Sequence, residues 1–216
     1  MPGTLRLIAA LALTLGTGSA FPEPPASRDA ALAALEHPVT ERRAEAVVWV
    51  ANHGRMEDAD LLVKRLHDES AFVRDYAERG LWLLWSRSGD AQIDHLMGSG
   101  VQEMQSGQYA RAIATFSEVI RRRPDFAEGW NKRATVRYLA GAYRESMADC
   151  DEVLKRNPQH FGALSGYGQI HFQLEAYAEA IAWWRRALQV NPNMLGVELS
   201  IKGAEERLRE KRGRST

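Results

Sequence analysis

An all-α solenoid is the fold class this sequence predicts, and three observations predict it. Pro124, Pro158 and Pro192 stand 34 residues apart twice over. The residues around them repeat in step: Tyr109, Tyr143 and Tyr177; Phe116, Cys150 and Trp184; Val119, Val153 and Ala187; Ile120, Leu154 and Leu188. Gly107 and Gly141 fall midway, where a first helix must stop and a second begin, since glycine tolerates left-handed backbone. Each proline then ends the second helix, because it lacks the amide that a continuing helix would bond, and Asn157 and Asn191 ahead of Pro158 and Pro192 strengthen the stop. The units so defined are residues 93–126, 127–160 and 161–194.

With proline at position 32, small residues fill position 8 (Gly100, Ala134, Gly168) and position 20 (Ala112, Ser146, Ala180). This pattern resembles the tetratricopeptide repeat family, a 34-residue helix-turn-helix. The resemblance implies a right-handed α-solenoid of three such units. Small residues at positions 8 and 20 are expected to let the paired helices approach closely. Glu175 stands in the third unit where the others have glycine.

A stacked unit leaves an open face that a terminal helix must cover. Residues 195–211 are read as that cap, with Leu195, Leu199, the stem of Lys202 and Leu208 as its apolar side. Residues 212–216 form a tail.

Residues 28–90 carry a fainter repeat: Leu35, Arg43, Ala46 and Val50 recur as Leu66, Arg74, Ala77 and Leu81, an offset of 31. The segment from Leu66 to Ala77 looks like a HEAT hairpin, with Asp68 or Ser70 capping the second helix and Arg74 reaching Asp68. Two copies are few for a solenoid. This HEAT-like block is therefore expected to pack on the 34-residue units, with Trp82 and Trp85 filling the junction.

The start of the chain reads as an export signal. Arg6 precedes an apolar run from Leu7 to Leu15, and Gly18 and Ala20 occupy the −3 and −1 positions of a cut before Phe21. Nine apolar residues fall short of the ~20 needed to span a bilayer, and no cysteine follows to carry a lipid. Residues 1–20 are thus assigned as a signal peptide and 21–27 as a proline-rich leader. A periplasmic, exported protein without a stable membrane anchor is expected.

Lys+Arg and Asp+Glu balance at 28 each, which argues against a nucleic-acid-binding face. Arg121, Arg122 and Arg123 cluster in the last turn of a helix, where cations suit the dipole. Asp149, Asp151 and Glu152 point different ways on a helix and suit a solvated face. The six histidines form no zinc-helix spacing, Cys150 sits at a core position, and no nucleophile, base and oxyanion set is matched. The reading is non-enzymatic, with no cofactor and no metal.

The resemblance places the binding face on the first helices. Met97, Val101 and Met104, then Asn131, Thr135 and Tyr138, then Gln169 and Phe172 line it. Some family members clamp a terminal carboxylate there, but Met97, Val101 and Gly162 replace the polar and basic residues that this needs. An extended peptide or partner helix, gripped by Met104, Tyr138 and Phe172 and bonded by Asn131 and Gln169, fits better. The same apolar spacing also suits packing between neighbouring helices. Trp183, beside Trp184 on one helix, is expected near the outer surface, over the cap or at a second contact site. The function read is a protein-binding adaptor or assembly factor of the cell envelope; the alternative is an accessory subunit of an envelope enzyme or transport complex, docked through its N-terminal block.

Overall fold

The computed structural model describes residues 24–213, so the expected signal peptide, the start of the leader and the last residues of the tail lie outside the described residues. Helices α1 (Arg28–Ala34) and α2 (Thr40–His53) form one pair; α3 (Ala59–Arg65), after a 3-10 turn at Met56–Asp58, and α4 (Ala71–Trp85) form the next. Three further antiparallel pairs follow: α5 (Ala91–Gln105) with α6 (Tyr109–Arg122), α7 (Ala127–Leu139) with α8 (Tyr143–Arg156), and α9 (Phe161–Gln173) with α10 (Tyr177–Val190). Helix α11 (Leu195–Gly213) closes the stack. Among the described residues there is no strand, and no helix long and apolar enough to cross a membrane.

Within each 34-residue pair the turn follows from backbone chemistry. Gly107 and Gly141 take φ of 71° and 76°, the left-handed region, and Glu175 takes 56° at the equivalent place. A side chain there costs roughly 1–2 kcal/mol that glycine avoids. Position 8 meets position 24 more closely than the sequence suggested. A Cβ on Gly100 would lie 2.7 Å from the Phe116 ring, and one on Gly168 would lie 2.3 Å from Trp184. In the middle pair a slightly larger Ala134 packs against a much smaller Cys150. The volumes therefore compensate across each helix pair, as close packing demands. Position 20 contributes differently, through the Ser146 hydroxyl donating to the Ala134 carbonyl at 2.8 Å.

Of the expected apolar side of the cap, Leu208 packs inward, and the rest of the contact uses a different face. Val197, Ile201, Ala204 and Leu208 pack with Ala180, Ile181 and Trp184, whereas Leu195 and Leu199 are 71% and 67% exposed. Trp183 also departs from expectation. It stacks on Tyr167 at 4.2 Å between centroids, with the Arg186 guanidinium 4.2 Å from its ring, so its surface is spent on its own pair rather than on the cap. Asp149 is no solvated carboxylate. It is buried and held by Arg133 (2.7 and 2.9 Å) and Arg137 (2.6 Å) from α7. Asp151 accepts from the Tyr167 hydroxyl, and only Glu152 stays with near neighbours, Lys155 and Arg156. In the arginine cluster, Glu118 holds Arg121 and Arg122 while Arg123 reaches Asp125 and the Ser88 carbonyl.

The first two pairs are tied by arginines that repeat in register. Arg43 donates to the carbonyls of His37 and Pro38 and to both oxygens of Asp68, at 2.8 and 2.9 Å. Arg74, 31 residues on, donates to the carbonyls of Asp68 and Glu69 and, at 2.8 Å, to Asn193 Oδ1. The Asp68 carboxylate therefore belongs to Arg43, not to Arg74 as the sequence suggested, and it accepts from the Ser70 amide instead of capping deeper into α4. Asn193, after the third proline, takes the place that Asp68 holds one pair earlier.

Gly168→Ala should lower stability by about 2 kcal/mol through overpacking against Trp184, although an alanine inside a helix normally gains about 1 kcal/mol. Glu175→Gly should do the reverse and stabilise by about 1 kcal/mol. Thermal unfolding followed by far-ultraviolet dichroism reads both; a downward shift for Gly168→Ala of roughly 4–8 °C is expected.

Candidate functional site

The first helices α5, α7 and α9 stand side by side, and the space between α7 and α9 opens as a cleft of about 240 Å³. Asn131, Thr135 and Tyr138 from α7 face Gly166, Gln169 and Ile170 from α9, with Ser146 and Cys150 of α8 at its base and Trp82 of α4 at one end. Four expected residues thus meet: Asn131, Thr135, Tyr138 and Gln169. The other four do not line this cleft. Met97 is buried in the core of the first pair with Ile93 and Phe116, and Val101 and Met104 pack on the same cluster. Phe172 packs on Tyr177 and Trp184, at 5.4 and 5.8 Å between ring centroids.

Polar groups in the cleft divide into committed and open ones. Asn131 is nearly buried and its amide donates to Glu128 Oε2 at 3.0 Å, which commits one N–H of the group expected to bond a ligand's backbone. The Thr135 hydroxyl donates to the Asn131 carbonyl at 2.9 Å. The Tyr138 hydroxyl accepts from Gln173 at 3.3 Å, which leaves its own proton to give. Gln169 is exposed beside it.

Glu128, at the N-terminal end of α7, is fully buried. Burial alone would raise its pKa, but the Lys132 ammonium at 2.9 Å and His160 at 3.2 Å overcome that and hold it below the usual carboxylate range. The ring tautomer of His160 follows from geometry. Its Nδ1 accepts the Ala163 amide at 3.1 Å, capping α9, so Nε2 carries the proton that goes to Glu128. Above this pair lie the indoles of α4: Trp85 stacks on His160 at 4.6 Å, and Trp82 meets Phe161 edge-on at 5.1 Å. The sequence marked Trp82 and Trp85 for a junction, but Trp82 also serves as a cleft wall. That was hidden because the contact joins residues 79 apart in sequence.

Nothing in the arrangement activates a nucleophile. Burial, with Asp149 and Asp151 adding to it, pushes the Cys150 thiol up to about 12. Among the described residues no group of three or more His, Cys, Asp or Glu side chains is placed to hold a metal ion.

Stacked antiparallel helix pairs with a cleft between their first helices define a helical-repeat binding scaffold. Residues 100–155 and 148–194 match the tetratricopeptide repeat family, so this part of the chain carries tetratricopeptide repeats. It is 36% identical over 59 residues to a TPR repeat-containing protein of Rhizobium etli, a match that spans 27% of this chain and 29% of that relative's length. Among solved structures it is similar to the first TPR domain of Spaghetti (RPAP3) bound to an HSP90 peptide, at 22% identity and a TM-score of 0.52, covering 55% of this chain and 95% of that one. The TPR2B domain of yeast Sti1, in complex with an Hsp70 segment, is similar at 18% identity and a TM-score of 0.51, covering 55% and 99%. At these identities the likeness shows the fold.

Cys150 should resist alkylation in the folded protein. With a thiolate fraction of roughly one part in ten thousand at pH 8, iodoacetamide labelling is expected at least about a hundredfold slower than in the urea-unfolded chain; equal rates would mean that the thiol is accessible and ionised.

Proposed function

We infer that this chain is a non-enzymatic adaptor that holds an extended peptide or helix of a partner protein in the cleft between α7 and α9. The observation that carries this reading is the cleft itself, open to solvent and lined by a Tyr138 hydroxyl and a Gln169 amide with bonding capacity to spare. Such a pair can satisfy the main-chain groups of an extended ligand, while Trp82 offers apolar contact. The neighbours that share the fold include domains bound to HSP90 and Hsp70 segments, which supports peptide capture without naming this chain's ligand. Docking through the N-terminal helices alone is less favoured, because α4 packs Trp85 on His160 and Phe161 and turns Trp82 to the cleft itself.

We also place the adaptor in the cell envelope, on the sequence between Arg6 and Ala20. N-terminal sequencing of the protein from its source cell should begin at Phe21; a retained Met1 in a cytoplasmic fraction would remove this part of the proposal.

A photo-crosslinking residue at position 138 should capture one defined partner, and the same residue at the exposed Arg144 of α8 should not. Tyr138→Ala combined with Gln169→Ala should weaken that partner's binding at least about tenfold, the loss of two hydrogen-bonding groups, while helical dichroism is unchanged. Equal capture at positions 138 and 144 would contradict the cleft as the binding face.

A further inference from the structure

Glu78 and Trp82 lie one turn apart on α4 and share a face. Each lines a different cleft. Trp82 closes the one between α7 and α9, and Glu78 borders a second, of about 490 Å³, formed with Ser165, Gln169, Asn193, Leu195 and Ser200. Gln169 of α9 lines both. Helix α4 is therefore a common wall beside which the two clefts follow each other across α9.

The charges along this wall are few. Among the described residues lining the two clefts, Lys132 is the cation and Glu78 the accessible anion. Lys132 is held by the buried Glu128 at 2.9 Å. Glu78 is half-buried, and the arginines next to it are engaged elsewhere: Arg79 with Asp75 at 3.0 Å, Arg74 with the carbonyls of Asp68 and Glu69 and with Asn193. What the wall offers a ligand is one open carboxylate and one indole. A half-buried carboxylate without a counter-ion favours a cation strongly, since water screens it less than a surface charge.

The spacing is equally informative. Four residues of α-helix advance about 6 Å, and two residues of an extended chain advance about 6.8 Å. Side chains i and i+2 of an extended peptide lying along α4 therefore match Glu78 and Trp82.

We propose that the α4 wall selects the ligand: an extended segment carrying a lysine or arginine and, two residues away, a large apolar side chain, with the cation at Glu78 and the apolar group on Trp82. This rests on the cleft being a peptide site, and it names the chemistry of the peptide.

Fluorescence anisotropy with the full chain tests it, using labelled octapeptides with glycine-serine flanks around a lysine-serine-leucine core, in both chain directions, against the same peptides with glutamate in place of lysine. The better lysine peptide should bind about tenfold tighter than its glutamate counterpart, the worth of one charge-assisted contact. Glu78→Gln should erase that preference and Glu78→Lys should invert it; neither substitution removes a hydrogen bond of the fold. Equal affinity for the two charges, or a preference that Glu78→Lys leaves in place, overturns the proposal. If peptides bind without charge preference and Tyr138→Ala weakens them all, the cleft stands and the selection by α4 falls; if none binds, both fall.

Discussion

The seating of two indoles on the N-terminal end of α9 is the contact on which the rest of the molecule depends. A Cβ on Gly162 would lie 2.5 Å from Trp82 Cη2, so only glycine lets the indole reach the backbone of α9. Trp85 covers His160, and His160 in turn caps α9 and donates to Glu128 of α7. One aromatic cluster thereby joins α4 to two repeat units. A buried histidine-carboxylate pair would be costly if left unsatisfied. Here Lys132, Asn131 and the Ala163 amide complete it, and the indoles exclude water.

Hydrogen bonds extend that contact along the edge. Arg74 and Asn193 repeat, between α4 and the loop after α10, the bond that Arg43 and Asp68 make between the first two pairs. Asn193 returns an amide to the Leu66 carbonyl at 2.9 Å, and His67 lies 3.2 Å from the Val190 carbonyl. These bonds are buried at Arg43 and Asp68 and part-buried at Asn193, each with a net worth of about 1 kcal/mol, whereas buried aromatic area contributes about 25 cal/mol per Å². The indoles therefore set the strength of the junction, and the arginine ladder sets its register. Function follows from the same geometry, because the helix that braces the array also walls its cleft.

Much of this was legible in the sequence, for a physical reason. A fixed period assigns each residue to a helix and a height, and helix pairing follows from short turns such as those at Gly107 and Gly141. The Gly168 and Trp184 partnership, like that of Gly100 and Phe116, is written in the repeat. Azimuth is harder. Each residue turns the helix by about 100°, so reading the cap on Leu195 and Leu199 rather than on Val197 and Ile201, two residues on, misplaces its face by about 200°. The same sensitivity put Met97 in the core and left Tyr138 in the cleft. Asp149 looked solvated because its arginines sit 12 and 16 residues away on another helix. Trp82 as a cleft wall lay further still from any local pattern.

The central claim is that α4 and the repeat array form one cooperative body through this junction, and native-state hydrogen exchange against denaturant tests it most directly. The amides of α4 and of the α9 N-terminus should open with one shared free energy, and Trp82→Ala should lower both together while α5 and α6 change less. Independent opening of α4, with α9 protection untouched by Trp82→Ala, would contradict the account.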